Sequence, residues 1–102
     1  MLDAIRKAIR TGDYDLGREH WFFQKRRNIG SFEIEQAIGH DAPEIVKEYT
    51  CSYLMLGWLG PKPLHVVASP PPVKIITCYY PDPRRWETDW KTEKRRRRRG
   101  ES

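Results

Sequence analysis

One histidine, one threonine and two tyrosines stand within a single stretch of the chain, the run LHVVASPPPVKIITCYYPDPRRW at residues 64–86. His65 titrates near neutral pH, and Thr77, Tyr79 and Tyr80 carry hydroxyls. Arg84 and Arg85 can hold a phosphate through paired N–H donors, and Trp86 adds a flat ring. An unbroken cationic run, which includes Arg95, Arg96 and Arg97, follows soon after. Titratable, hydroxyl and guanidinium groups set among aromatic rings point to phosphate or nucleic-acid handling.

The chain that must position these groups has 102 residues, enough for one domain with one modest core and one site. Its net charge of +5 is concentrated in the last dozen residues, and without them the body is close to neutral. The domain is therefore expected over residues 1–90, and residues 91–102 read as a basic tail whose composition gives no reason to fold. Cys51 and Cys78 each fall within a predicted strand without a second Cys or His at ligand spacing, so they read as buried thiols in a reduced cytoplasm, with a single strand-to-strand disulfide as the lesser alternative. No metalloprotease-type metal motif, phosphate-cradling glycine loop or nucleophile elbow is present, so no metal site is expected, and His40 beside Asp41 reads as a surface residue. The start of the chain is charged and no segment has the length of a membrane span, so the expectation is a cytoplasmic protein without a membrane partner.

Leu2, Ile5 and Ile9 recur at helical spacing and Gly12 closes that segment. Residues 18–27 form a second helical segment with Trp21, Phe22 and Phe23 on an apolar face. A third helix has Ser31 as its N-cap, Ile34, Ala37 and Ile38 as its buried stripe, and Gly39 as its end. From Pro43 the period changes, and EIVKEYT, SYLMLGWL, PLHVVAS and VKIITCYY are four strand-length runs joined by turns. The fold class is α+β, with the N-terminal helices packed on one face of a four-stranded antiparallel β-meander and the other face free. Leu64, Val66 and Ala68 belong against the helices, which turns His65 to the free face. On the last strand two registers are open. One brings Thr77 and Tyr79 beside His65, and the other brings Lys74 and Tyr80.

The order of these segments, with RRNI at residues 26–29, LHVV at 64–67 and IIT followed by Tyr79, Pro81, Asp82 and Trp86, resembles a small uncharacterised branch of the RelE-like superfamily of ribonuclease toxins. The resemblance covers residues 5–90. It implies a toxin of a toxin–antitoxin pair that cleaves RNA without metal or cofactor. The RNA would include ribosome-associated mRNA, and a small antitoxin from a neighbouring gene would cover the basic sheet face. The family commonly opens its second helix with a His followed by two Arg. Here Glu19 and Phe23 occupy the first two of those positions, His20 stands one residue along, and Arg27 alone carries over.

Such cleavage removes a proton from a 2′-hydroxyl, stabilises a doubly charged phosphorane and protonates a departing 5′-oxygen. In that scheme His65 is the general acid or base, Arg27 the phosphate clamp, and Thr77 and Tyr79 the orienting hydroxyls. Arg84, Arg85 and residues 95–97 hold phosphates, and Trp86 or Tyr80 stacks on an unpaired base. The alternatives are a noncatalytic RNA-binding module using the same surface, and a protein-interaction module that docks another chain through a strand edge.

Overall fold

The computed structural model describes residues 1–18, 20–40 and 43–94. Helix α1, Leu2–Thr11, buries Ile5 and Ile9 on one side and ends at Gly12, whose φ of 79° is left-handed. Strand β1, Tyr14–Leu16, follows directly. Helix α2, His20–Arg26, is shorter than the predicted segment and fully buries only Phe23 of its three consecutive aromatics. Its end is set by Asn28, which adopts φ 56°, a left-handed conformation that asparagine tolerates. The Phe23 carbonyl then accepts the N–H groups of both Arg27 and Ile29, at 3.2 and 3.0 Å.

Helix α3 begins over Ser31–Ile34 and continues as wider π-helical turns over Glu35–His40, one residue past the predicted end. Its cap differs from expectation. Gly30, not Ser31, holds the N-cap position, and Glu33 Oε1 accepts the Gly30 N–H at 2.7 Å. Ile34, Ala37 and Ile38 are buried, as their spacing predicts.

The four predicted strands are β2, Glu44–Glu48; β3, Tyr53–Leu59; β4, Lys62–Ala68; and β5, Val73–Tyr79. Each pairs antiparallel with the next. The sheet as a whole departs from a four-stranded antiparallel meander, because β1 adds to β5 in parallel and gives a five-stranded mixed sheet of order β1-β5-β4-β3-β2. Three residues with a charged centre carry no readable period, which is why β1 is silent in the sequence. Gly17 extends this pairing by donating its N–H to the Ile75 carbonyl at 2.7 Å, and a Cβ there would lie 2.8 Å from the same oxygen.

All three helices contribute to one core. Ile5, Ile9, Phe23, Ile29, Ile34 and Ile38 meet Met55, Leu64, Val66 and Ile75 of the sheet. Gly57 lets α3 come close, since a Cβ at this position would collide with the Ala37 carbonyl oxygen and lie 2.9 Å from Ile38 Cδ1.

The opposite face is not free, which corrects the sequence expectation. After Pro81 the chain turns back as a strap over residues 81–94. The Asp82 carbonyl accepts the N–H groups of Arg85 and Trp86 at 2.9 and 3.0 Å, and Trp86 then pairs antiparallel with Glu93. Glu87 donates to the Thr92 carbonyl and Lys94 to the Arg85 carbonyl, both at 2.8 Å. Asp89 closes the tip by accepting the N–H groups of Lys91 and Thr92. Ion pairs Lys47–Glu93 at 3.1 Å and Lys91–Glu44 at 2.6 Å tie the strap to β2. Hydrogen-bonded structure thus continues past residue 90 to Lys94, while Arg95, Arg96 and Arg97 lie outside the described residues.

Candidate functional site

A bulge decides which side chains of β5 face the strap. Val67 pairs with Thr77 but Ala68 pairs with Ile75, so Ile76 is left without a partner and is 39% exposed. Val73 and Ile75 face the core before the bulge and Cys78 faces it after, so neither uniform register describes the strand. The outcome is that Thr77 and Tyr79 share a face with His65, with Tyr79 directly across from it.

His65 is on the predicted face and is nevertheless 0% exposed. Its Nε2 lies 2.7 Å from the Trp90 carbonyl oxygen, which can only accept, so Nε2 carries the proton. Nδ1 is then the acceptor of the Tyr79 hydroxyl at 3.2 Å. Trp86 and Tyr79 meet the imidazole edge to face, with centroids 4.6 and 5.3 Å away. Burial pushes the His65 pKa below 6.5, opposed by the Trp90 bond, and the ring is neutral at pH 7. His65 therefore supports the site from behind Tyr79, and the expectation of a surface-facing histidine is corrected by the strap that covers it.

Beside this hydrogen-bonded pair opens a cleft of about 470 Å³. Its walls bring together six residues singled out in the sequence, Arg27, Thr77, Tyr79, Tyr80, Arg85 and Trp86, and add Asp82. Arg27 reaches it from the end of α2. Its Nη1 donates to the Cys78 carbonyl at 2.7 Å and lies 3.5 Å from Thr77 Oγ1, and its guanidinium sits 4.7 Å above the centre of the Phe22 ring. Arg27 takes part in no ion pair among the described residues.

Arg85 enters from the strap and is mostly exposed, with Nη2 3.9 Å from Glu93 Oε1. Arg84 does not line the cleft. It pairs with Asp82 at 3.1 Å, and its hydrogen bonds hold the Asp82 carboxyl below its ordinary pKa. Arg84 thereby offsets the one carboxylate in the cleft wall and leaves Arg27 and Arg85 as its positive groups.

The two tyrosines keep their protons at neutral pH. Burial raises the pKa of Tyr79, with Tyr49 and Glu93 adding to the rise and Arg85 and Arg27 opposing it. Burial likewise raises that of Tyr80, whose ring carries Lys62 Nζ 4.7 Å from its centre. Trp86 is 3% exposed, and its ring is packed against His65 with Lys47 Nζ 5.8 Å from its centre. It braces the strap and presents no free face to a base.

Other predicted groups lie apart from the cleft. His20 Nδ1 donates to the Gly17 carbonyl at 2.9 Å at the start of α2, and Glu19 lies outside the described residues. His40 is exposed at the end of α3. Cys51 is exposed in the turn after β2, contrary to expectation, while Cys78 is buried with its thiol pushed up to about 12 by desolvation. Among the described residues no group of His, Cys, Asp or Glu is placed to hold a metal ion, and no helix is long and apolar enough to cross a membrane.

Sequence reasoning missed Asp82 as a wall residue, although an aspartate between two prolines is a turn signal. It also missed Lys47, Glu93 and the Trp90 carbonyl, for which no local signal exists. Compared with known protein families, curated proteins and solved structures, the chain matches none. The functional reading rests on the cleft itself.

Proposed function

We propose that the chain binds single-stranded RNA, with a backbone phosphate seated between Arg27 and Arg85. The observation that carries this reading is the convergence of those two guanidinium groups with the hydroxyls of Thr77 and Tyr79 in one cleft. A phosphodiester supplies the anionic oxygens that the guanidinium groups and the Thr77 hydroxyl satisfy, while the one Tyr79 hydroxyl hydrogen is given to His65 Nδ1. The fixed anchoring of Arg27 on the Cys78 carbonyl means that little side-chain freedom is lost on binding.

The more specific form of the proposal is a RelE-like, metal-independent endoribonuclease toxin of the cytoplasm, held inactive by a small antitoxin. It is favoured by one contact, the hydrogen bond from the Tyr79 hydroxyl to His65 Nδ1. In that form a 2′-hydroxyl passes its proton to the Tyr79 oxygen while the Tyr79 proton moves to His65. The 2′-oxygen bonds to phosphorus, and the P–O5′ bond breaks with the leaving oxygen protonated by water. Burial weakens His65 as the final acceptor, so binding is the primary reading and cleavage the second.

The test is binding of a labelled RNA oligonucleotide across a salt series. Each phosphate contact contributes about 0.7 to the slope of log affinity against log salt for a single strand. Arg27→Ala and Arg85→Ala should each weaken binding and flatten the slope by about that amount. Unchanged affinity in both variants would refute the proposal. New RNA ends bearing 5′-hydroxyls on induction in cells, abolished by Tyr79→Phe, separate the nuclease from the binding module.

A further inference from the structure

The rings expected to stack on a base are occupied: Trp86 is buried against His65, and Lys62 lies over Tyr80. The exposed aromatic linked to Arg27 is instead Trp21, in the first turn of α2 and 54% exposed. Its ring meets Phe22 edge to face, with centroids 5.7 Å apart and planes at 84°. Phe22 lies beneath the Arg27 guanidinium at 4.7 Å, and Arg27 is fixed on the Cys78 carbonyl. These contacts make a continuous row from the cleft out over α2.

The surroundings of Trp21 select the chemistry of its occupant. Lys25 stands one helical turn further along the same side of α2. Lys25 and Arg26 are both exposed, and neither takes part in an ion pair among the described residues. An exposed indole beside cations complements a ligand that is at once flat, π-bearing and anionic. A cationic partner is disfavoured by charge, and a purely apolar one would leave the cations unused.

We propose that Trp21 is the stacking platform for an unpaired nucleobase of the strand whose phosphate is held at Arg27, with Lys25 receiving an adjacent phosphate. The inference rests on the RNA-binding reading above. Stacking on an aromatic side chain tolerates any base, so the platform confers preference for single strands over duplexes without sequence choice.

The test compares a labelled oligoadenylate with an abasic ribose-phosphate oligomer of equal length. Trp21→Ala should weaken oligoadenylate binding about 5- to 150-fold, the range for one base–aromatic stack, and leave the abasic oligomer unaffected. Trp21→Phe should recover most of the loss, and Arg27→Ala should weaken both ligands. A Trp21→Ala variant that binds oligoadenylate as the wild type does, or that weakens both oligomers equally, overturns the platform while the Arg27 result keeps the cleft. Failure of the wild type to bind either oligomer at low salt overturns both. Fluorine NMR of 5-fluorotryptophan-labelled wild-type protein gives a readout independent of variant folding. One resonance should shift with oligoadenylate and not with the abasic chain, and an unchanged spectrum would overturn the platform.

Discussion

Replacing His65 by alanine should release the strap from the sheet while leaving the Arg27 side of the cleft in place. The native ring is fully buried, donates to the Trp90 carbonyl and accepts the Tyr79 hydroxyl. Alanine leaves both partners unsatisfied, and a buried polar group in that condition costs about 1–3 kcal/mol. Loss of the edge-to-face contacts with Trp86 and Tyr79 adds about 1 kcal/mol. With two such groups the combined loss is about 3–7 kcal/mol, a large share of the stability of a domain this size. The assay is urea unfolding together with hydrogen exchange read by mass spectrometry. Protection should fall first over residues 81–94 and least over β4 and β5, because the other ties of the strap to the sheet include solvent-exposed ion pairs to β2, which contribute little. RNA affinity should fall only to the level of Arg85→Ala, since Arg27 is anchored on β5 and not on the strap. A variant within about 1 kcal/mol of wild type, with unchanged protection over the strap, refutes the reasoning.

Three further outcomes follow from the same geometry. The folded-state pKa of His65 lies below 6.5, so its contribution to stability is complete above that pH and is lost as pH falls through the folded value. Urea midpoints should therefore decline on acidification from pH 6.5, above the carboxylate range in which Asp82 and Asp89 titrate, and His65→Leu should flatten that part of the profile. Gly57→Ala forces a Cβ into the Ala37 carbonyl and should cost about 1–3 kcal/mol, seen as a melting temperature lower by about 4 °C or more. In the native protein a thiol reagent should modify Cys51 rapidly and Cys78 only after unfolding, as a titration at neutral pH with and without denaturant will show.

The parts of the fold legible in the sequence are those written in local periodicity. The apolar spacing of Ile5 and Ile9, the stop at Gly12, and the change of period after Pro43 each have a counterpart in the structure. The cleft was legible only in part: the grouping of Thr77 and Tyr79 with His65 was one of two registers left open, Arg27 was implied by the family resemblance alone, and strand alternation by itself sets Tyr79 and Tyr80 on opposite faces. What was not legible depends on partners distant in the chain. β1 exists through its pairing with β5, and the bulge at Ile76 satisfies the core with Ile75 on one side and Cys78 on the other. The burial of His65 follows from a strap whose hold comes from a backbone carbonyl at Trp90 and ion pairs to β2, and neither is written in the run of residues that precedes it. Trp21 and Phe23 look alike as helix aromatics, and only the placement of α2 on the sheet decides which is buried.

The most direct test of the central claim is photo-crosslinking of a single-stranded RNA carrying 4-thiouridine, with the modified peptides mapped by mass spectrometry. The cleft predicts adducts on the peptides that carry residues 20–27 and 77–85, reduced in Arg27→Ala under the same conditions. Adducts confined to the arginine-rich end of the chain, and indifferent to Arg27, would contradict it.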